Sequence, residues 1–98
     1  MKIAFATLRG GLDDSITASF GRAPFFTIVD GDKVEIVENP GASAARGAGV
    51  LAVNFLKERG VQMVVAGRFG PNAAMALERA GIKAVERQGI VREVLQTL

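Results

Sequence analysis

Two short segments of the sequence combine arginine, phenylalanine and glycine where a chain normally makes a plain turn. The first, FGRAP, covers residues 20–24, and the second, GRFGPNAA, covers residues 67–74. A guanidinium group presents several N–H donors in a planar fork, which suits an anionic ligand. Glycine lets the backbone approach a ligand closely. These segments therefore have the composition of an anion-binding site, provided that the fold brings them together.

Length and composition limit the other kinds of site that the chain can form. Its 98 residues include neither cysteine nor histidine. This excludes a disulfide framework, a Cys/His zinc site, an iron–sulfur cluster held by thiolates and a Ser-His-Asp triad. With 49% hydrophobic and 22% charged residues, the chain has the composition of an ordinary globular protein. We expect one domain spanning residues 1–98.

Charge and hydropathy bear on partners and location. A formal net charge of +2 is too small to indicate nucleic-acid binding, so we expect no nucleic-acid partner. The first residues, MKIAFATLRGG, lack the long apolar segment and the cleavage site of a signal peptide. No apolar run approaches the length of a membrane span. We therefore expect a cytoplasmic protein with no membrane partner.

Hydrophobic periodicity predicts five strands and three helices in the order β-β-β-α-β-α-β-α. The predicted strands are residues 2–7, 24–30, 34–39, 61–67 and 82–86. The predicted helices end near Arg59, run from Pro71 to Gly81, and cover residues 89–98. In the first helix Val50, Leu51, Phe55 and Leu56 are expected to share one side, and in the last Ile90, Val91, Val94 and Leu95 are expected to face inward.

This order of elements predicts an α/β fold with three layers, in which helices cover both faces of a mixed sheet. The expected strand order is 3-2-1-4-5, with strand 2 antiparallel. Ligands of open α/β sheets bind beyond the carboxyl ends of the strands, where the strand order reverses. Here that point lies between strands 1 and 4, so we expect the loops at residues 8–23, 40–49 and 67–71 to meet there.

Arg68 is the first candidate for ligand binding, because it follows a buried strand and precedes a helix N-terminus that favours anions. Asn72 adds a side-chain donor in the first turn of that helix, and Gly67 and Gly70 permit close approach. Arg22 and Arg46 could supply further guanidinium donors from the other two loops. Two aromatic rings, Phe20 and Phe69, are expected at the edge of the predicted pocket.

Three other interpretations remain open at this point. In a structural one, Arg22 and Arg68 tie loops to backbone carbonyls while the two phenylalanines cap the core. In an enzymatic one, Asp13, Asp14 and Asp30 hold a metal ion for phosphoryl transfer. In a third, the chain is an interaction or regulatory module that docks on a partner protein through the same loops or a sheet edge.

Several motifs resemble the dinitrogenase iron–molybdenum cofactor biosynthesis family. They are FGRAPFF.IVD, ENP, the GAG before the first helix, and V.AGRFGPNAA.AL..AGIK, and they follow in the family's order over nearly the whole chain. The resemblance implies a ribonuclease-H-like fold and a non-enzymatic role as a carrier of the iron–molybdenum cofactor or an iron–sulfur precursor. Its partners would be that metallocluster, or another anionic small molecule, and a nitrogenase-assembly protein.

The family pattern also implies where the ligand binds. Its candidate residues are Phe20, Gly21, Arg22, Gly67, Arg68, Phe69, Gly70 and Asn72. Family members usually have a histidine immediately before FGRA, and this chain has Ser19 there. A complete, anionic cluster would then be held through arginine and backbone N–H contacts. The alternative is that this chain binds a different anion.

Overall fold

The computed structural model describes residues 1–98, which form five strands and three helices in the predicted order. The strands are β1 (Lys2–Thr7), β2 (Phe25–Asp30), β3 (Lys33–Glu38), β4 (Met63–Ala66) and β5 (Lys83–Glu86). The helices are α1 (Ala48–Glu58), α2 (Pro71–Ala80) and α3 (Val91–Leu95). None of the three helices has the length and apolar character that crossing a membrane requires.

The strands form one mixed sheet in the order β3-β2-β1-β4-β5, as predicted. β2 is antiparallel to both of its neighbours, whereas β4 is parallel to β1 and to β5. Consequently β1, β3, β4 and β5 all end at the same edge of the sheet. This edge, which we call the rim, is where the ligand was expected.

Helices cover both faces of the sheet, so the predicted three layers are present. On one face, Ala52, Val53 and Leu56 of α1 and Leu77 of α2 pack against the even-numbered residues of β1 and β2. On the other face a smaller cluster includes Val91 and Val94 of α3. The further assignment to the ribonuclease-H-like folds stays a prediction.

The inward face of α1 differs from the prediction. Val50 and Leu51 are 41% and 44% exposed, and the buried residues are Ala52, Val53 and Leu56. The cause lies at the start of the helix. A Cβ atom added to Gly49 would lie only 2.8 Å from Cβ of Ala73, so α1 and α2 touch at this point. This contact sets the rotation of α1, and the inward stripe of positions 49, 52, 53 and 56 follows at helical spacing.

Two other apolar patterns are less buried than expected. α3 spans five residues rather than ten, and only Val91 and Val94 are buried, whereas Ile90 and Leu95 are half-buried. In β3 the alternation of Val34 and Ile36 correctly indicates a strand, but both side chains are exposed. β3 is an edge strand, and the short α3 covers only part of that sheet face.

We predict that Gly49→Ala lowers the free energy of unfolding by about 1–3 kcal/mol, although alanine is the better helix former, because the new methyl group forces α1 and α2 apart. Urea unfolding measures the change. Gly70→Ala is the matched control, since a Cβ there meets nothing within 4 Å. The control should lose no more than about 1 kcal/mol. Equal stability of Gly49→Ala and wild type would show that the two helices are not held this closely.

Candidate functional site

The loop after β1 is bound to the loop after β4 by backbone contacts. Ser19 and Arg68 form a parallel bridge, in which the Phe20 N–H donates to the Arg68 carbonyl at 3.2 Å. The Gly67 N–H donates to the Thr17 carbonyl at 2.8 Å. A Cβ on Gly67 would lie 2.9 Å from Cα of Ala18, so this crossing requires glycine. The structure therefore brings the FGRAP and GRFGPNAA segments together, as expected.

Asn39 connects the loop after β3 to the loop after β1. Its side chain is buried, with the residue 4% exposed. The amide group donates to the carbonyls of Gly21 at 3.0 Å and Ala23 at 2.9 Å, and its oxygen accepts the Gly41 N–H at 2.9 Å. Asn39 lies in the ENP motif but was not among the predicted site residues. A polar residue between a strand and a proline was the available signal.

Arg22 also connects the loop after β1 to the loop after β3. Its Nη1 atom donates to the carbonyls of Ala42, at 3.5 Å, and Ala44. This is the structural role that the sequence left open for Arg22, because the guanidinium group closes the loop at residues 40–47. Arg46 is exposed on that loop and lines no cleft of the rim.

The prediction that Phe20 edges a pocket is wrong. Its side chain lies in the core, 1% exposed. The ring packs against Phe26, with 5.5 Å between centroids, and against Phe69, with 5.2 Å between centroids. Phe69 is half-buried on the same core cluster. Aromatic burial of this kind stabilises the loop from beneath and gives Phe20 no access to a ligand.

Two helix N-termini meet at the rim, and neither has a side-chain cap. The residue preceding α1 is Gly47 and the residue preceding α2 is Gly70, and neither can supply a capping oxygen. The first backbone bonds of the helices are donated by Leu51 and Ala74. The N–H groups before these have no acceptor in the protein: Ala48, Gly49 and Val50 in α1, and Asn72 and Ala73 in α2.

These free N–H groups belong to residues that line one cleft of about 230 Å³, which we call the amide cleft. Its lining comprises Ser19, Gly21, residues 47–50 and residues 70–73. No acidic residue lines it. Two helix dipoles with their positive ends on one acid-free cleft create a site that favours an anion.

A second cleft of about 580 Å³ adjoins the first, and we call it the Arg68 cleft. The two clefts share Ser19 and Gly70. Arg68 lines the second cleft and makes no side-chain hydrogen bond or ion pair. Glu86 also lines it and accepts the Phe69 N–H at 3.4 Å. Arg68 is therefore free to bind a ligand, unlike Arg22.

The predicted site residues thus divide by position. Gly21, Gly70 and Asn72 line the amide cleft, and Gly67, Arg68 and Gly70 line the Arg68 cleft. Reasoning from side chains missed the backbone N–H groups of residues 48–50. The signal for them was the GAG sequence before α1, which provides a helix start without side-chain oxygens.

The three acids of the enzymatic interpretation do not gather. Asp13 pairs with Arg92, with 2.9 Å between the carboxylate and Nε, and this contact lowers the pKa of Asp13. Asp14 accepts the N–H groups of Arg9, Gly10 and Ser15. Asp30 lies opposite Lys2 in the register of β1 and β2, at the end of the sheet away from the rim. No three acidic side chains lie close enough together to hold a metal ion.

Comparison with known proteins assigns the family. The family described as dinitrogenase iron-molybdenum cofactor matches residues 1–98, and the chain belongs to it. No curated protein matches the chain. The similarity found from sequence motifs is thereby confirmed.

Solved structures of similar proteins have the same fold. The apo form of the orange protein from Desulfovibrio gigas superposes with a TM-score of 0.90 at 35% identity, over 97% of this chain and 83% of that one. A putative NifB protein from Thermotoga superposes with a TM-score of 0.82 at 32% identity, over 98% of this chain and 84% of that one.

We predict that Asn39→Ala lowers the free energy of unfolding by about 2–4 kcal/mol, because one buried carbonyl, one partly buried carbonyl and one buried N–H lose their partner. Urea unfolding measures it. Asn54→Ala is the control, since Asn54 is exposed on α1 and its side chain makes no hydrogen bond. The control should change stability by less than about 1 kcal/mol. A similar loss in both variants would contradict the role given to Asn39.

We also predict a pH-dependent effect of Asp14→Asn. Partial burial raises the pKa of Asp14, but the backbone N–H donors outweigh it, so the pKa lies below its ordinary value of 3.8. The carboxylate therefore stabilises the folded state above that value, and the contribution is lost as the pH falls through the lowered pKa.

The measurement is the difference in unfolding free energy between wild type and Asp14→Asn, followed from about pH 6 to about pH 2. The difference should narrow below the ordinary value of 3.8. Asp13 titrates in wild type and in Asp14→Asn alike, so its contribution cancels from the difference between their unfolding free energies. A difference that stays constant over the whole range would show that the Asp14 charge does not stabilise the loop.

Proposed function

We propose that this protein is a non-enzymatic carrier of an anionic metallocluster, namely the iron–molybdenum cofactor of dinitrogenase or an iron–sulfur precursor. Family membership indicates the class of cargo. The observation that carries the proposal is the amide cleft, where two uncapped helix N-termini meet beside a free arginine.

Binding in this site is electrostatic and needs no ligand bond to a metal. The N–H groups of residues 48–50, 72 and 73 donate hydrogen bonds to the sulfur or oxygen atoms at the surface of the cluster. Both helix dipoles and the Arg68 guanidinium offset its negative charge. A cluster held in this way must be complete and anionic before it arrives, as the cargo of a carrier is.

Glycine allows the cargo to approach the backbone. Gly21, Gly67 and Gly70 present no side chain toward the two clefts, so a bulky ligand can reach the N–H groups. Asn72 adds an amide donor from the first turn of α2. Arg22 acts indirectly by closing the loop at residues 40–47.

Three other predicted residues act around the clefts. Exposed Arg46 contributes attraction at longer range, and Phe69, together with buried Phe20, supports the loops from the core.

Ser19 determines how tightly the cargo is held. It occupies the position where the family usually has histidine, and it lies in the wall common to both clefts. An imidazole can ligate iron, whereas a serine hydroxyl is a weak ligand. The cluster is therefore bound reversibly, which suits transfer between nitrogenase-assembly proteins rather than storage.

The proposal is tested at Ser19, where a carboxylate or an imidazole can be placed in the wall of both clefts. Purified variants are mixed anaerobically with the iron–molybdenum cofactor or its iron–sulfur precursor and separated by gel filtration, and the iron that elutes with the protein is measured. Ser19→Asp should reduce bound iron at least about tenfold through charge repulsion. Ser19→His should retain more iron than wild type.

Ser43→Asp is the matched control, because Ser43 is also an exposed serine but lines neither cleft. It should retain as much iron as wild type. Equal retention by Ser19→Asp and Ser43→Asp would exclude this site. Absence of iron from wild type and from Ser19→His would overturn the carrier function, and the rim would then be screened against phosphate and other small anions.

A further inference from the structure

A groove between α1 and α2 starts at the amide cleft and runs away from it. Its cavity measures about 360 Å³, and it shares Val50 and Asn72 with the amide cleft. The two helices touch at Gly49 and Ala73 beside the rim. Both helices begin at the rim, so the groove runs from their N-termini to their C-termini.

Half of the residues that line the groove are apolar, and the chain itself leaves this apolar surface uncovered. Met75 is 53% exposed and Val50 is 41% exposed, although both lie on helices whose opposite faces are in the core. The floor is formed by Ala76 and Ala80, which are half-buried against the core. Positions 50, 54 and 57 of α1 and positions 72, 76 and 79 or 80 of α2 follow helical spacing along its two sides.

The charges of the groove have one sign. Lys57 and Arg79 line it in the last turns of α1 and α2, and no acidic residue lines it. Neither of these cations is in a salt bridge. The groove therefore combines apolar side chains with the amides of Asn54 and Asn72, and it is positive at the end where Lys57 and Arg79 lie.

We infer that this groove binds an acidic amphipathic helix of a partner protein. A helix laid between two others buries an apolar stripe at positions i, i+3, i+4 and i+7, which matches the geometry of this groove. α1 and α2 have 11 and 10 residues, so the bound helix contacts the groove over about 15 Å, or three turns. Acidic residues at one end of the bound helix complement Lys57 and Arg79.

This binding mode extends the proposed function. The binding itself does not depend on the carrier function, but the purpose that we assign to it does. A helix seated between α1 and α2 ends beside the amide cleft, because the two sites share Val50 and Asn72. The partner's own cluster site is then held next to the carrier's. The groove thus selects the partner, while the clefts bind the cargo.

The test selects ligands without assuming a partner. A phage-displayed library of helix-forming peptides of about 16 residues, which is long enough to span the groove, is panned against wild type. Selected peptides should have an apolar stripe and acidic residues. Their affinity should fall at least about tenfold for the double variant Lys57→Glu/Arg79→Glu.

Lys33→Glu/Lys83→Glu is the matched control, because it reverses two charges at exposed lysines of the edge strands. It should bind the selected peptides within about threefold of wild type. Amide shifts in NMR spectra should map the peptide to α1 and α2.

Selection of peptides without acidic residues, equal loss in both double variants, or no enrichment would overturn the inference. So would sedimentation showing a dimer that Lys57→Glu/Arg79→Glu dissociates, since a second copy would then be the occupant.

Failure of this inference can be told apart from failure of the carrier function. Lys57→Glu/Arg79→Glu should retain iron as wild type does, because neither residue lines the clefts. Ser19→Asp should still bind the selected peptides, because Ser19 does not line the groove. Iron retention without peptide binding excludes only the docking groove, and peptide binding without iron retention excludes only the carrier function.

Discussion

The arrangement of the rim depends on the contact between Gly49 and Ala73. A Cβ on Gly49 would lie 2.8 Å from that of Ala73, so a side chain there would force the two helices apart. This contact brings two helix N-termini together, and it also sets the rotation of α1. Because of that rotation, the residues that carry the free N–H groups line one cleft, and Val50 is turned away from the core. The amide cleft and the groove between α1 and α2 therefore both depend on the small size of residue 49.

Side chains of the conspicuous motifs mostly build the rim, and the backbone provides most of its free hydrogen-bond donors. Arg22 and Asn39 bind loops to one another through carbonyl groups, and Phe20 fills the core. The groups that remain free are the N–H groups of two helix starts and the Arg68 guanidinium. Backbone donors of this kind are fixed in place by the fold, so they need little ordering when an anion binds.

A site made from dipoles and one arginine fits a chain without cysteine or histidine. Such a site binds by charge and shape, and binding is reversible because no metal–ligand bond has to be broken. The groove beside it offers what the clefts lack, because Val50 and Met75 leave apolar surface exposed there. The two proposals assign cargo binding and partner choice to neighbouring surfaces that share Val50 and Asn72.

The sequence by itself determined the elements and their order, because buried strands, glycine turns and helical periodicity are local patterns. It also determined that FGRAP and GRFGPNAA meet, since the strand order places both loops at one edge. Only the tertiary structure decided which arginine is free. Arg22 and Arg68 have similar neighbours in sequence, but Arg22 meets two carbonyls of another loop and Arg68 meets none. The rotation of α1 was also decided by the tertiary structure. It depends on the contact between residues 49 and 73, and the hydrophobic pattern along one helix carries no information about a contact with another helix.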